Sequence, residues 1–409
     1  MAAERPSPSS VPLVEHGGLP LEELARRGLR PDDVVDFSVS LHPLGPSPAA
    51  LAAACSADLG RYPDPQSSAL RRALAERHGV EERQVWVGNG ASELLWLAAH
   101  CWLQPGDRAL IIGPTYGEYR RAAALAGACV VEYRAPEARD FVPDLDAVAA
   151  LVERERPRLT FLCNPNNPTG VYLDALVVER LARLAAPGLL LLDEAYVPFV
   201  QAPWDAARAF GLSVADGGAS APRQAIAWPG GVARDLGQEA ADTTVRAGAP
   251  PAPRVLLLRS MTKDYGLAGL RLGYALGPAS LIEQLQRAAQ PWSVNAAAQA
   301  AGLAALADNA HLEAGRRLVR EVGAYLRREL ARLGLVLRPS AANFWLVRVP
   351  NAAWLRQRLL DEGIVVRDCA SFGLPGYIRL GARPLDDCAR LVTALGRLLP
   401  GAAPPREAD

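Results

Sequence analysis

Lysine and arginine together number 44, yet the chain contains a single lysine, Lys263, which leaves 43 arginines. Arginine replaces lysine wherever a surface position needs only positive charge, but a guanidinium does not serve as the amine of a Schiff base. The lone lysine is therefore either a chance survivor on the surface or an amine that the chain requires. It follows RVLLLRS (residues 254–260), an apolar run suited to a buried parallel strand. That places it past the carboxyl end of a strand, where open α/β sheets bind ligands. A second run, GLLLLDEAY (residues 188–196), leads four leucines into Asp193 and Glu194. A carboxylate at the end of a buried strand is costly unless paired. Its partner is a structural cation, a metal, or a protonated ring nitrogen of a bound ligand. A third segment, VWVGNGASELLWLAA (residues 85–99), reads as strand, glycine turn and helix, an arrangement that aims backbone N–H groups at an anion.

The stretch SMTKDYGLAGLR resembles the Ser-x-x-Lys-x-x-Gly-x-x-Gly-x-Arg signature of aminotransferase classes I and II, carried here by Ser260, Lys263, Gly266, Gly269 and Arg271. The resemblance implies a pyridoxal 5′-phosphate enzyme of fold type I, with the cofactor held as a Schiff base on Lys263. It further implies that Ser260 and Arg271 bind the cofactor phosphate together with Gly90, Ala91 and Ser92. Asp193 would pair with the ring nitrogen and make the ring a better electron sink. Tyr196 would reach the ring hydroxyl, as would Asn167 of CNPNNPTG (residues 163–170). Tyr116 of PTYGEY (residues 114–119) would stack on the ring. In RYPDP (residues 61–65), Tyr62 would reach the phosphate of a neighbouring subunit, which implies a homodimer. Lys263, Asp193 and Tyr196 are the expected catalytic residues.

For the substrate, YIRLGAR (residues 377–383) resembles the family segment whose arginine clamps a carboxylate, assigning that role to Arg379. Twelve positions earlier, Arg367 matches a second arginine that relatives use for a substrate phosphate; a solvated surface arginine is the other reading. VEHGG (residues 14–18) and DFSVSLHPLGP (residues 36–46) resemble the threonine-phosphate decarboxylases. In that pattern His16 helps hold the substrate phosphate from the partner subunit. Decarboxylation of L-threonine O-3-phosphate is thus the first expectation, and transamination of histidinol phosphate the alternative. Ser40 and His42 depart from both patterns, which usually place asparagines in that segment.

These residues need a scaffold. Alternating helices and strands over about residues 48–290 are expected to form a large, mainly parallel-sheet domain. Residues 1–47 would supply an N-terminal arm and part of a small domain, and residues 291–409 the rest of that α+β unit. Lys263 stands 67 positions after Tyr196, several tens more than relatives carry. The Ala-, Gly- and Pro-rich stretch 202–253 therefore reads as a surface insertion, with a functional lid as the sharper alternative. Leu312 to Leu333 has helical periodicity.

Composition sets the outer limits. The chain is 50% hydrophobic and 22% charged, with a formal net charge of zero, so no nucleic-acid or acidic-membrane footprint is visible. No apolar run approaches the roughly 20 residues of a membrane span, and the N-terminus lacks the apolar core of a signal peptide. Six cysteines lack metal-ligand spacing and read as reduced thiols, so no metal is expected and the location is cytoplasmic. A ligand-sensing regulator on the same fold would add a DNA-binding domain, but only about 47 residues precede the large domain, without a helix-turn-helix pattern.

Overall fold

The computed structural model describes residues 11–212 and 253–399. Most of the stretch read as an insertion lies outside the described residues. In chain order the strands are β1 (Val35–Asp36), β2 (Val85–Gly88), β3 (Arg108–Gly113), β4 (Cys129–Arg134), β5 (Leu159–Cys163), β6 (Leu189–Asp193), β7 (Arg254–Ser260), β8 (Gly273–Leu276), β9 (Phe344–Arg348), β10 (Ile364–Val365), β11 (Arg367–Asp368) and β12 (Tyr377–Gly381).

Seven strands form one sheet in the order β2-β8-β7-β6-β5-β3-β4, and β8 alone runs against its neighbours. The central strands are near-continuous apolar runs because helices cover both faces. Alternation along each strand splits its side chains between two cores. Leu190, Leu192, Val255 and Leu257 join the core under Ser68–His78, Ala175–Ala185 and Ala296–Ala307. Leu189, Leu191, Leu256 and Leu258 join the opposite core, under Gly90–Trp102, Glu118–Leu125 and Ala279–Ala288. This is the α/β architecture of the fold type I expectation.

A second, smaller sheet has the antiparallel order β11-β12-β9. It shares a core with the helices Asn309–Arg332, Ala352–Asp361 and Leu385–Leu398. The N-terminal segment is tied to this unit: β1 pairs in parallel with β10, and Phe37 is fully buried in its core. The long helix begins three residues before the expected Leu312, because Asp308 caps it by accepting the His311 N–H at 3.1 Å. Among the described residues no helix is long and apolar enough to cross a membrane.

Candidate active site

Five strands of the large sheet, β2, β3, β5, β6 and β7, end beside one open cavity of about 240 Å³. Lys263 lies in the single helical turn Met261–Asp264 that follows β7, and it lines this cavity. Burial, reinforced by the positive charges of Arg379 and Arg271, lowers its ammonium pKa to about 8, against the opposing pull of Asp193. The amine is thus partly neutral near physiological pH, the form that attacks a carbonyl or accepts a proton.

Asp193 closes β6 and is 7% exposed. Its Oδ2 accepts the Tyr119 hydroxyl at 2.7 Å, and its Oδ1 accepts the Ala195 N–H at 2.9 Å. Burial raises its pKa, and these two bonds and the Lys263 charge oppose the rise. Among the described residues no cation forms an ion pair with it, and a protonated ring nitrogen would supply one. Glu194 serves differently. It is fully buried and ion-paired with Arg259 at 2.8 Å, so the two carboxylates of the motif divide into a ligand-facing and a structural one. Tyr119, which sequence reasoning did not single out, reaches the Asp193 carboxylate. It stands one helical turn from Tyr116 within the same quoted motif, but nothing local shows that its hydroxyl reaches the end of β6.

The anion end is built from close backbone approach. Gly90 opens the helix Gly90–Trp102 with φ +80°, and a Cβ there would lie 2.7 Å from Arg271 Nη2. A Cβ on Gly273 would collide with the Ala91 backbone nitrogen. Arg271, Ala91, Ser92 and Ser260 line the cavity beside this helix start. Thr262, also not anticipated, meets the Ser260 hydroxyl at 2.7 Å. Helix N–H groups, three hydroxyls and a guanidinium fit a phosphate. Tyr116 lines the cavity with Ser92 and stands edge-on to Tyr119 at 5.6 Å. With Lys263 and Asp193 in the same cavity, the residues present fit pyridoxal 5′-phosphate.

Asn167 and Tyr196 sit where the two units meet. Arg379 Nη1 donates to Asn167 Oδ1, while its Nη2 donates to the Ser38 carbonyl at 2.7 Å. The Arg379 guanidinium lies 5.1 Å over the Phe344 ring, and Tyr196 packs edge-on against the same ring at 4.9 Å. Ser38 is a further contact that the sequence did not reveal. Arg367 and Arg379 are cross-strand partners on β11 and β12, so both guanidinium groups enter the cavity from one face of the small sheet.

The remaining predicted residues fall less simply. Arg367 is no solvated surface arginine: it is 8% exposed and donates to the carbonyls of His16 at 3.0 Å and Glu15 at 2.8 Å, and to the Ser371 hydroxyl at 2.6 Å. His16 lines the cavity of its own chain. The physical reason is that Arg367 and Glu118 hold residues 15–16 down. Ser40 lines the cavity, but His42 does not. His42 stacks on His311 at 4.6 Å and packs onto Gly315, where burial and His311 lower its pKa to about 4. Tyr62 is 81% exposed, stacks on Trp292 at 4.8 Å and lies apart from its own chain's cavity.

The family model of aminotransferase class I and II matches residues 32–395. The chain is 37% identical to histidinol-phosphate aminotransferase 1 of Thiobacillus denitrificans, over 96% of this chain and 92% of that protein. It is 36% identical to histidinol-phosphate aminotransferase of an Anaeromyxobacter species, over 93% and 95% of the two chains. Among solved structures, histidinol-phosphate aminotransferase from Sinorhizobium meliloti in complex with pyridoxal 5′-phosphate superposes with a TM-score of 0.77 at 24% identity, covering 97% of each chain. An aspartate aminotransferase mutant from Thermus thermophilus superposes at 0.72 with 26% identity, covering 92% and 94%. These relatives overturn the first substrate expectation. The His-Gly-Gly opening favoured a threonine-phosphate decarboxylase, but similarity over nine-tenths of the chain runs to proteins named for amino transfer to or from histidinol phosphate. A short N-terminal motif weighed too heavily against the rest of the chain.

Proposed function

The chain belongs to the aminotransferase class I and II family, and on that premise we propose that it exchanges an amino group between histidinol phosphate and a dicarboxylic oxo acid. Its cofactor is pyridoxal 5′-phosphate, which supplies a ring that draws electrons from the carbon bearing the amino group. The observation that carries the reading is the pair Arg367 and Arg379, delivered side by side into the cavity that holds Lys263. An enzyme that alternates a phosphorylated amine with a carboxylate needs two anion grips within reach of one amine. The substrate identity is supported by the shared name of the relatives.

The chain's own residues divide the work. Gly90, Ala91, Ser92, Ser260 and Arg271 would hold the cofactor phosphate, and Tyr116 one face of its ring. Asp193, backed by Tyr119, would keep the ring nitrogen protonated, with Asn167 and Tyr196 at the ring hydroxyl. Lys263 removes and returns the proton at the reacting carbon, a task suited to an amine with its pKa lowered to about 8. Arg379 orients the carboxylate of the oxo acid, and Arg367 with His16 lies at the phosphate end.

The test is a coupled assay with histidinol phosphate and 2-oxoglutarate. Glutamate should appear, and Arg379→Ala should raise KM for the oxo acid by about 10- to 100-fold through loss of charged hydrogen bonds. No glutamate from a preparation that carries bound cofactor would sink the reading.

We also propose that the enzyme works as a homodimer in which Tyr62 of one protomer reaches the partner's cavity. Tyr62 and Leu59 are 81% and 82% exposed, and Trp292 stacks on Tyr62 while itself 46% exposed. An exposed aromatic pair of this kind suits a protein interface. Sedimentation should give twice the chain mass; a monomer at micromolar concentration contradicts the proposal.

A further inference from the structure

Residues 14–17 form a strap along one wall of the cavity. Its fit is close at both ends. A Cβ on Gly117 would press to 2.9 Å from Val14, and a Cβ on Gly17 would collide with the Ser38 carbonyl. The Gly18 N–H donates to Ser38 Oγ at 2.7 Å, and Arg367 holds the carbonyls of Glu15 and His16. These contacts seat the Val14 side chain and fix the path of the strap's backbone, but they do not set the direction of the His16 side chain.

One side-chain contact does that. Glu118, the first residue of the helix Glu118–Leu125, is 5% exposed, and its Oε1 lies 3.1 Å from His16 Nε2. Its Oε2 accepts the Trp96 indole N–H at 3.1 Å, and Arg121, stacked over Trp96, stands 3.7 Å from Oε1. Indole is a donor only, and an ionised carboxylate is an acceptor only. The hydrogen of the His16–Glu118 bond therefore sits on His16 Nε2. The imidazole is held 5.9 Å from the Tyr116 ring.

We propose that Glu118 is a positioning residue for the substrate. By fixing the direction of the His16 imidazole, it makes the strap a wall that grips the anionic end of a phosphorylated amine. This rests on the proposed function, because it assigns His16 to the phosphate end. Glu118 touches neither substrate nor cofactor; it acts through His16.

Two measurements on the holoenzyme test it. Loss of a hydrogen bond to a charged partner loosens a local structure by about tenfold or more. Glu118→Ala should therefore speed amide exchange of residues 14–18 by about that factor, with cofactor absorbance unchanged. In kinetics, Glu118→Ala should raise KM for histidinol phosphate by about tenfold, while kcat and KM for 2-oxoglutarate stay within about twofold. Glu118→Gln, which keeps the shape, should fall between wild type and Ala. If Glu118 acts through His16, the double variant with His16→Ala should be no worse than His16→Ala alone. Unchanged strap exchange, or additive effects in the double variant, overturns the proposal. Faster exchange in Glu118→Ala, in a wild type that does not use histidinol phosphate, supports the hold on His16 and rejects only the substrate reading.

Discussion

Replacing Lys263 with alanine is expected to abolish turnover, by at least about 10⁴-fold, because the variant loses both the amine that binds the cofactor covalently and the base that moves the proton. The yellow colour of the lysine-bound cofactor should vanish from the absorption spectrum. Borohydride reduction of the wild type should fix the cofactor on one peptide, and the single lysine makes the outcome unambiguous. Label recovered on any other residue contradicts the assignment. The lowered pKa adds a pH signature. Only the neutral amine attacks the cofactor aldehyde, and the ammonium form predominates below a pKa of about 8. Capture of cofactor by the apoprotein should therefore slow as pH falls through 8 and level off above it. A rate that keeps rising to pH 10 would show an amine that burial has not perturbed.

The second large effect is at Asp193. Asp193→Asn removes the charge that keeps the ring nitrogen protonated, and kcat should fall at least about a hundredfold, roughly 3 kcal/mol. Tyr119→Phe removes only a neutral donor to the same carboxylate and should cost about tenfold or less. The apoprotein should respond in the opposite sense. Burial raises the Asp193 pKa, so the folded state binds this proton more tightly than the unfolded chain does. Its contribution to stability is therefore greatest below the unfolded carboxyl pKa and is lost as pH rises through the raised folded value. Asparagine carries no such cost. The variant apoprotein should melt at or above the wild-type temperature at neutral pH, while the loaded enzyme is nearly inactive. A variant that is both destabilised and fully active would reverse the assignment, making Asp193 structural and leaving the ring nitrogen to another residue.

How much of this was legible beforehand differs from residue to residue. Each cofactor residue is set by local backbone: a glycine turn before a helix, a carboxylate at a strand end, a lysine one turn past another strand end. Parallel strands with helical crossovers bring their carboxyl ends to one edge of the sheet. Reading the strands brought Lys263, Asp193 and the Gly90–Ser92 turn to that edge, and the family resemblance added Asn167 and Tyr116. Ser38, Tyr119 and Glu118 were not legible in the same way. Each acts through a partner far along the chain: Arg379 is 341 positions from Ser38, Asp193 is 74 from Tyr119, and His16 is 102 from Glu118. No periodicity encodes such pairs. The substrate was misjudged for a related reason, since the His-Gly-Gly opening, the Asp-Phe-Ser segment and two arginines were given the weight of a pocket that many segments build.

The sequence by itself pointed to the family and its cofactor. A lone lysine among 43 arginines, set in an ordered motif behind a buried strand, carries the resemblance from which that cofactor follows. Local patterns suffice there because strand, turn and helix geometry repeat from one protein to another. Tertiary structure alone decided that Glu194 turns to Arg259, that His42 turns away while Ser40 lines the cavity, and that residues 14–17 lie along their own chain's cavity. Those outcomes depend on which buried polar group finds a partner as distant segments of the chain pack. Asp193 meets Tyr119, Glu194 meets Arg259, and Arg367 is met by the carbonyls of residues 15 and 16. Burial makes an unpaired polar group costly, so the surroundings select its orientation, and those surroundings exist only once the chain has folded.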